Sequence, residues 1–293
     1  MNLDNEITKE VFEKFAPVAK MPDRNTSVFS RMGDFLSTAY ARVCNEIVGQ
    51  AFVETVENNA LAKTMIIRIT CIRAFIQAAR SLDLVLTSTG FGIVSTESTA
   101  PASAQRVNSL ISDLRVQAMT AEDELVCHMI HVEGWGLTAQ AEECIPTLFY
   151  RPRMMKELCS MPVSEELSRG LLHVPLSEEG WQTAKARAKY ADTLLRSEIS
   201  GEYMDELLQK LRTDTLEDQD RELCQMCLRF MGRYISDYER TGGQPDGQLL
   251  RKIAEKLEEN ADQYPTYKAS SIYEGKHAQG YENKPEDAAF FFM

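Results

Sequence analysis

Two cysteines, Cys224 and Cys227, stand three positions apart, a spacing that could hold a metal ion or form a redox pair. A zinc ribbon needs a second pair at matching spacing, and a redox motif needs a strand and turn before the first cysteine. The sequence shows neither pattern. Positions three and four apart share one face of a helix, so both thiols would lie beside Met231. The pair therefore indicates buried packing.

Two histidines, His128 and His131, would also share a helix face and could bind one metal ion. Further ligands would have to come from elsewhere, and the other histidines are His173 and His277. No glutamate follows His128 directly, so the metalloprotease pattern is absent. We expect neither a metal nor another cofactor, while a cytoplasmic helical metal-binding enzyme with its site at these histidines stays open as an alternative.

Glycines at Gly90 and Gly92, on either side of Phe91, follow an apolar run but lack the third glycine of a dinucleotide-binding loop. No Gly-Lys-Ser/Thr follows, and no Gly-x-Ser-x-Gly occurs in the sequence. We interpret these three residues as a turn or interface element in which glycine permits a positive φ. The motifs together predict a protein that is not an enzyme.

Composition is that of an ordinary globular protein of 293 residues, with 44 acidic and 32 basic side chains and a net charge of −12. This charge argues against a surface built to neutralise phosphate. The seven cysteines are odd in number and scattered, which favours reduced thiols. The first residues lack the pattern of a signal peptide, and no apolar run reaches about 18 residues, so we expect no contact with a membrane and a cytoplasmic site of synthesis.

Hydrophobic residues recur at helical spacing along most of the chain, which predicts a mainly α, multi-helix bundle. Thr120 begins a capping pattern that divides one long helical stretch into two. The predicted helices cover residues 3–15, 27–48, 59–82, 103–119, 120–130, 177–195, 201–211, 215–238 and 249–260.

The residue composition changes between 83 and 100, where β-branched residues and two glycines predict a small β-hairpin or strand element. Several prolines interrupt residues 145–176, which makes a boundary near 160 the natural division. We therefore expect a helical domain over 1–160 that contains the strand element. A second helical domain, or a continuation of the same bundle, covers 161–263, and an extended arm covers 264–293.

The arm is unusually aromatic, with seven rings in thirty residues against 8% in the whole chain. Such rings are depleted in solvated disordered tails, and each buries about 150–250 Å² when it docks. The arm should therefore lie along a surface, either its own core or that of a neighbouring molecule. The candidate partner-binding residues are Tyr264, Tyr267, Tyr273, Tyr281, Phe290, Phe291 and Phe292.

Three stretches carry a resemblance: Leu84 to Ser95, Ala100 to Leu110, and Tyr281 to Lys284 together with Phe290 to Met293. They resemble an uncharacterised family of virion proteins from tailed bacteriophages and prophages of gut anaerobes, in the size range of head-tail connector or adaptor proteins. The resemblance implies a largely helical, non-enzymatic subunit of a homo-oligomeric neck ring that docks on the portal and on a tail protein. It also implies assembly in the host bacterial cytoplasm and a final location in the virion.

The negative charge fits that expectation, because repulsion of phosphate would let DNA pass through a ring without tight binding. The motifs do not set the ring size or the neck component. Another virion role, such as a tail-completion or capsid-associated protein, stays open.

Overall fold

A computed structural model describes residues 6–16, 29, 32–82, 84–87, 90–93, 103–154 and 177–278, with the backbone alone for residues 80–82, 84–87 and 90–93. The fold is all-α. None of the described helices combines the length and apolarity that crossing a bilayer requires.

The first half of the described chain is organised around one long helix, α4 (Ala60–Leu82), which packs between α2 (Gly33–Val43) and α5 (Ala104–Met129). Apolar residues at three- and four-residue spacing along α4, including Ile66, Ile69 and Ile72, are buried on these two neighbours. The elements are α1 (Lys9–Phe15), α2 (Gly33–Val43), a π-helical turn (Cys44–Val48), a 3-10 turn (Gln50–Phe52), α3 (Val53–Glu57), α4 (Ala60–Leu82), α5 (Ala104–Met129), a 3-10 turn (Trp135–Leu137) and α6 (Ala139–Cys144).

The second half begins at Ser177, whose side chain accepts a hydrogen bond from the Gly180 amide and so caps the next helix. The first long helix of this half, α7 (Glu178–Glu198), packs mainly on α9 (Asp218–Thr241). The next helix, α8 (Gly201–Arg212), contacts the short helix α11 (Pro265–Lys268). The elements are α7 (Glu178–Glu198), α8 (Gly201–Arg212), α9 (Asp218–Thr241), α10 (Gly247–Glu259), a 3-10 turn (Ala261–Gln263), α11 (Pro265–Lys268) and α12 (Ser271–His277).

The predicted fold class is wrong in giving the fold a β-hairpin or strand element near 83–100. In that interval two four-residue segments, β1 (Leu84–Thr87) and β2 (Gly90–Ile93), pair antiparallel with each other. A ribbon of two such short segments is not a sheet layer on which helices can pack, and it is marginally stable alone. The three buried clusters of the described residues are built from helices and their connecting turns, so the fold belongs to the all-α class.

The predicted fold class also included an extended C-terminal arm. This prediction is wrong for residues 264–277, where the structure has two short helices. Pro265 begins α11, where its missing amide hydrogen costs no helical hydrogen bond. Ser270 then caps α12 by accepting a hydrogen bond from the Tyr273 amide at 3.3 Å. Residues 279–293 lie outside the described residues.

One predicted helix break is also wrong, because α5 runs without interruption from Ala104 to Met129. The Thr120 hydroxyl donates to the Val116 carbonyl one turn earlier instead of capping a new helix. Ala118 and Ala121 on either side are buried, so core packing continues through the predicted break. The predicted domain boundary near 160 lies outside the described residues, and the division into domains stays a prediction.

The two halves meet where the turn Trp135–Leu137 lies against the end of α8. The Arg212 guanidinium donates two hydrogen bonds, of 2.9 and 3.2 Å, to the Ile145 carbonyl. Gly136 lies so close to the Arg212 carbonyl that a Cβ atom at this position would collide with it. The Trp135 indole donates to the Ile47 carbonyl at 2.9 Å. This junction joins the first group of helices to the second.

A candidate docking groove

An open groove of about 930 Å³ lies between the α5–α6 region and the beginning of α7. One wall carries carboxylates from the π-helical turn, α5 and α6, while the opposite wall carries lysines from α7. The surface between them is partly apolar, with contributions from Ile47, Met119, Val126, Tyr150 and Trp181. The groove therefore combines apolar surface with charges of opposite sign on its two sides.

The carboxylate wall is organised by Arg73 of α4. Its guanidinium contacts Glu46 at 2.8 Å and Glu122 at 2.7 Å. Burial alone would lower the pKa of Arg73, but the charges and hydrogen bonds of these two glutamates outweigh it and raise the pKa. Both carboxylates are thereby held as ion pairs with a permanent cation, an arrangement suited to fixing the shape of a wall rather than to transferring protons.

A second arginine holds the most buried acid of the groove. The Asp123 side chain is 2% exposed and accepts from the Arg151 Nε at 3.1 Å, with Arg153 at 3.9 Å. Burial opposes the charge on Arg151, yet the pKa of Arg151 is raised because Asp123 outweighs it. Arg153 also pairs with Glu124 at 2.6 Å. These contacts attach residues 151–153 to α5 at one end of the groove.

The lysine wall consists of two cations of α7 and an aromatic ring that lies under one of them. Lys185 lies over the Trp181 ring, with 6.0 Å between its Nζ and the ring centroid. Lys189, one turn further along α7, is exposed. Trp181 is itself buried and packs on Phe149 with their centroids 6.0 Å apart. The α7 wall thus presents two cations, of which Lys185 lies over a buried aromatic ring.

Among the described residues that line the groove, the thiol is that of Cys144, which donates to the Glu46 carbonyl across 3.6 Å. Burial, reinforced by the carboxylates of Glu122 and Glu143, raises the pKa of this thiol to about 12. A thiol needs a lowered pKa to act as a nucleophile near neutral pH. The Cys144 thiol is therefore not activated as a nucleophile.

The predicted partner-binding tyrosines of the described region lie on their own chain. Tyr264 is 2% exposed and packs edge-on against Tyr203 with their centroids 5.5 Å apart. Tyr267 is fully buried, and its hydroxyl donates to Glu258 at 2.6 Å. Tyr273 packs edge-on against Tyr267 and stacks on His277. In this arrangement Tyr264 and Tyr267 are not available to a partner.

The other predicted partner-binding residues, Tyr281, Phe290, Phe291 and Phe292, lie outside the described residues, and their role stays a prediction. Gly90, Phe91 and Gly92 form most of β2, of which the backbone is described. Their assignment to a turn or interface also stays a prediction.

Within the described part of the chain, His128 and His131 do not belong to a group of three possible metal ligands. His131 Nδ1 lies 2.9 Å from the Asp214 carboxylate at an exposed position. His277 contacts Glu258 instead, and His173 lies outside the described residues. Among the residues the structure describes, no three histidine, cysteine or acidic side chains converge as a metal site would require.

Cys224 and Cys227 are both buried free thiols, as the packing interpretation predicted. Burial raises the pKa of Cys224 to about 12 and that of Cys227 well above its usual value. Both pack in the cluster of the second half together with Met231. They contribute apolar volume to the α9 core.

Sequence reasoning missed the groove. The pairs Arg73–Glu46 and Arg73–Glu122 join residues 27 and 49 positions apart, so no local spacing reveals them. Glu142, Glu143, Lys185 and Lys189 stand in no local motif that distinguishes them from the charges of a solvated helix face. The available signal was that Trp181 stands one turn before Lys185, which places an aromatic ring beside a cation on one helix.

A model of a family of unknown function, DUF6712, matches residues 28–143. The matched range runs from the start of α2 almost to the end of α6, so it supplies the carboxylate wall but not the lysine wall. No curated protein and no solved structure matches the chain.

Proposed function

We propose that the chain is a non-enzymatic structural protein of a tailed-bacteriophage virion, a subunit of a homo-oligomeric ring at the connection between head and tail. In this role it docks on the portal on one side and on a tail protein on the other. Its place is the virion, after assembly in the host bacterial cytoplasm. The resemblance of residues 84–95, 100–110 and 281–293 to such virion proteins is the starting point of the proposal.

The groove is the structural observation that carries the proposal. Its inner carboxylates are already paired with Arg73 and Arg151, while exposed charges remain on both rims. An enclosed pocket with unpaired, perturbed acids would indicate a reaction site. An open groove with apolar surface and charged rims instead has the composition of a protein–protein interface, with an aromatic anchor and a polar border.

The overall charge of −12 supports the same role, because DNA that passes through a ring should not adhere to it. The all-α body adds support, since rigid helices hold interface residues at fixed distances from one another. A ring also requires two different complementary surfaces on each subunit, and the groove provides one of them.

The proposal predicts that the purified full-length chain forms a closed oligomer, either alone or when mixed with the portal protein encoded with it. Size-exclusion chromatography with light scattering gives the mass directly. We expect a discrete species of several copies that elutes with the portal. A chain that stays monomeric at every concentration, with and without the portal, would count against the proposal. Stoichiometric zinc or iron that is lost from the H128A/H131A variant would favour the metal-binding enzyme instead.

A further inference from the structure

The lysine wall of the groove has no counterpart within the described part of the chain. Lys185 and Lys189 have no carboxylate within ion-pair distance among the described residues, whereas most charges of the opposite wall are paired. Lys185 is held over Trp181, which limits its freedom to find a partner elsewhere. Two cations of α7, one of them held over the Trp181 ring, are thus presented to an acidic ligand.

An exposed aromatic ring extends this surface beyond the groove. Tyr190 follows Lys189 on α7, and 55% of its surface is exposed. It is held in place by stacking on Tyr234, with their centroids 5.6 Å apart and their planes inclined by 20°. Tyrosine is one of the residue types in which the binding energy of protein interfaces is concentrated. The docking surface is therefore defined as the groove, which includes Lys185 and Lys189, together with the adjacent Tyr190.

One segment of this chain has a composition that complements the docking surface. Residues 279–293 carry three carboxylates, at Glu282, Glu286 and Asp287, and one cation at Lys284. They also carry Tyr281 and the three phenylalanines 290–292. The carboxylates match the lysine wall, Lys284 matches the carboxylate wall, and the rings match the apolar surface. An extended chain of fifteen residues spans about 50 Å, which is ample to reach a neighbouring subunit.

We propose that the docking surface binds residues 279–293 of a second copy of this chain, so that each subunit offers its segment to the groove of the next. The inference rests on the proposed function, because a ring closes when every copy carries two different complementary patches. Tyr264 and Tyr267 anchor α11 to their own core and so fix the point from which the segment leaves. The proposal thus assigns the intersubunit contact to Tyr281 and Phe290–Phe292 and not to the earlier tyrosines.

Two full-length variants separate the groove from the segment. K185E/K189E reverses the lysine wall, and F290S/F291S/F292S removes the rings. We expect either variant alone to raise the dissociation constant for self-association at least about tenfold, measured by sedimentation velocity. An equimolar mixture should form a 1:1 pair, because one partner keeps an intact groove and the other an intact segment. The control R251E/K252E reverses two exposed charges on α10 and should change association less than about twofold.

A photo-crosslinking residue at position 291 identifies the site and the donor chain. Wild-type association with ¹⁵N-labelled and unlabelled subunits in equal amounts should give crosslinks from position 291 to residues 181–190, half of them between chains of different label. Crosslinks confined to one chain, or crosslinks to another surface, would overturn the inference.

The outcomes also separate this inference from the proposed function. If the chain forms a ring with the portal and neither variant weakens it, the inference fails and the proposed function stands. If the complementary variants pair as expected but no portal binding occurs, the docking surface stands and the neck role fails.

Discussion

Replacing Gly136 with alanine is expected to lower the free energy of unfolding by about 3 kcal/mol. A Cβ atom at this position would collide with the Arg212 carbonyl oxygen and lie 2.9 Å from the Thr213 amide nitrogen. Both atoms belong to the backbone, so no side-chain rotation can relieve the clash. The turn Trp135–Leu137 would have to move away from the end of α8, which opens the junction between the two halves. Urea unfolding of the full-length chain followed by circular dichroism measures the change.

The matched control is G275A. Gly275 lies in α12, and nothing is within 4 Å of the Cβ position there. Alanine is favoured over glycine in a helix by about 0.5–1 kcal/mol, so this variant should be unchanged or slightly more stable. Equal effects of the two substitutions would show that the junction is not closely packed at Gly136.

Replacing Tyr267 with alanine is expected to lower the free energy of unfolding by about 3–5 kcal/mol. The ring is fully buried in the cluster of the second half and packs edge-on against Tyr273. Burial and the hydrogen bond to Glu258 raise the pKa of the Tyr267 hydroxyl, so the group stays protonated and donates across the physiological range. Urea unfolding at a concentration at which the chain is monomeric measures the loss.

The Y267F variant keeps the ring and removes only the hydroxyl, so it should lose about 1–2 kcal/mol. The pair of variants tests where the tyrosine functions. If Y267A leaves the unfolding of the monomer unchanged and weakens only the association of subunits, then Tyr267 belongs to an interface and its placement in the core is wrong.

The long helices could be predicted from the sequence because the spacing of their apolar residues distinguishes a helix from a strand. Residues 59–82 were predicted to be helical, and the helix observed there is α4 (Ala60–Leu82). Residues 215–238 were also predicted to be helical, and the helix observed there is α9 (Asp218–Thr241). In each, isoleucine, leucine or methionine recurs every three or four positions over several turns, which no strand pattern imitates. The ends differ by a few residues, as fraying and capping lead one to expect.

The short helices at 265–277 were missed although local signals were present. Pro265 stands where a helix begins, and Ser270 stands where the next is capped. Tyr264 and Tyr267 stand three positions apart, which suits one helical face, but the high density of aromatic rings over 264–293 favoured an interpretation as a binding arm. Whether such tyrosines are buried in their own core depends on tertiary contacts. These contacts come from residues such as Tyr203 that are distant in sequence.

The region 83–100 shows the limit of β propensity. Its residues favour extended backbone, and β1 and β2 do pair, yet pairing of four residues with four does not define the fold. To form a sheet layer of the fold, the two segments would need a further strand or a packed helix face. A pattern of β propensity cannot show whether either is present. The groove was equally beyond prediction, because it arises where α5, α6 and α7 meet and its ion pairs join distant residues.

The most direct test of the proposed neck role is electron cryomicroscopy of the tailed particle whose genome encodes this chain. The map should show a closed ring of copies next to the portal, with α2, α4 and α5 of each copy recognisable as one layer. A segment from the neighbouring copy should lie along the groove beside Trp181. A fully traced neck that contains no copy of this all-α fold would contradict the account.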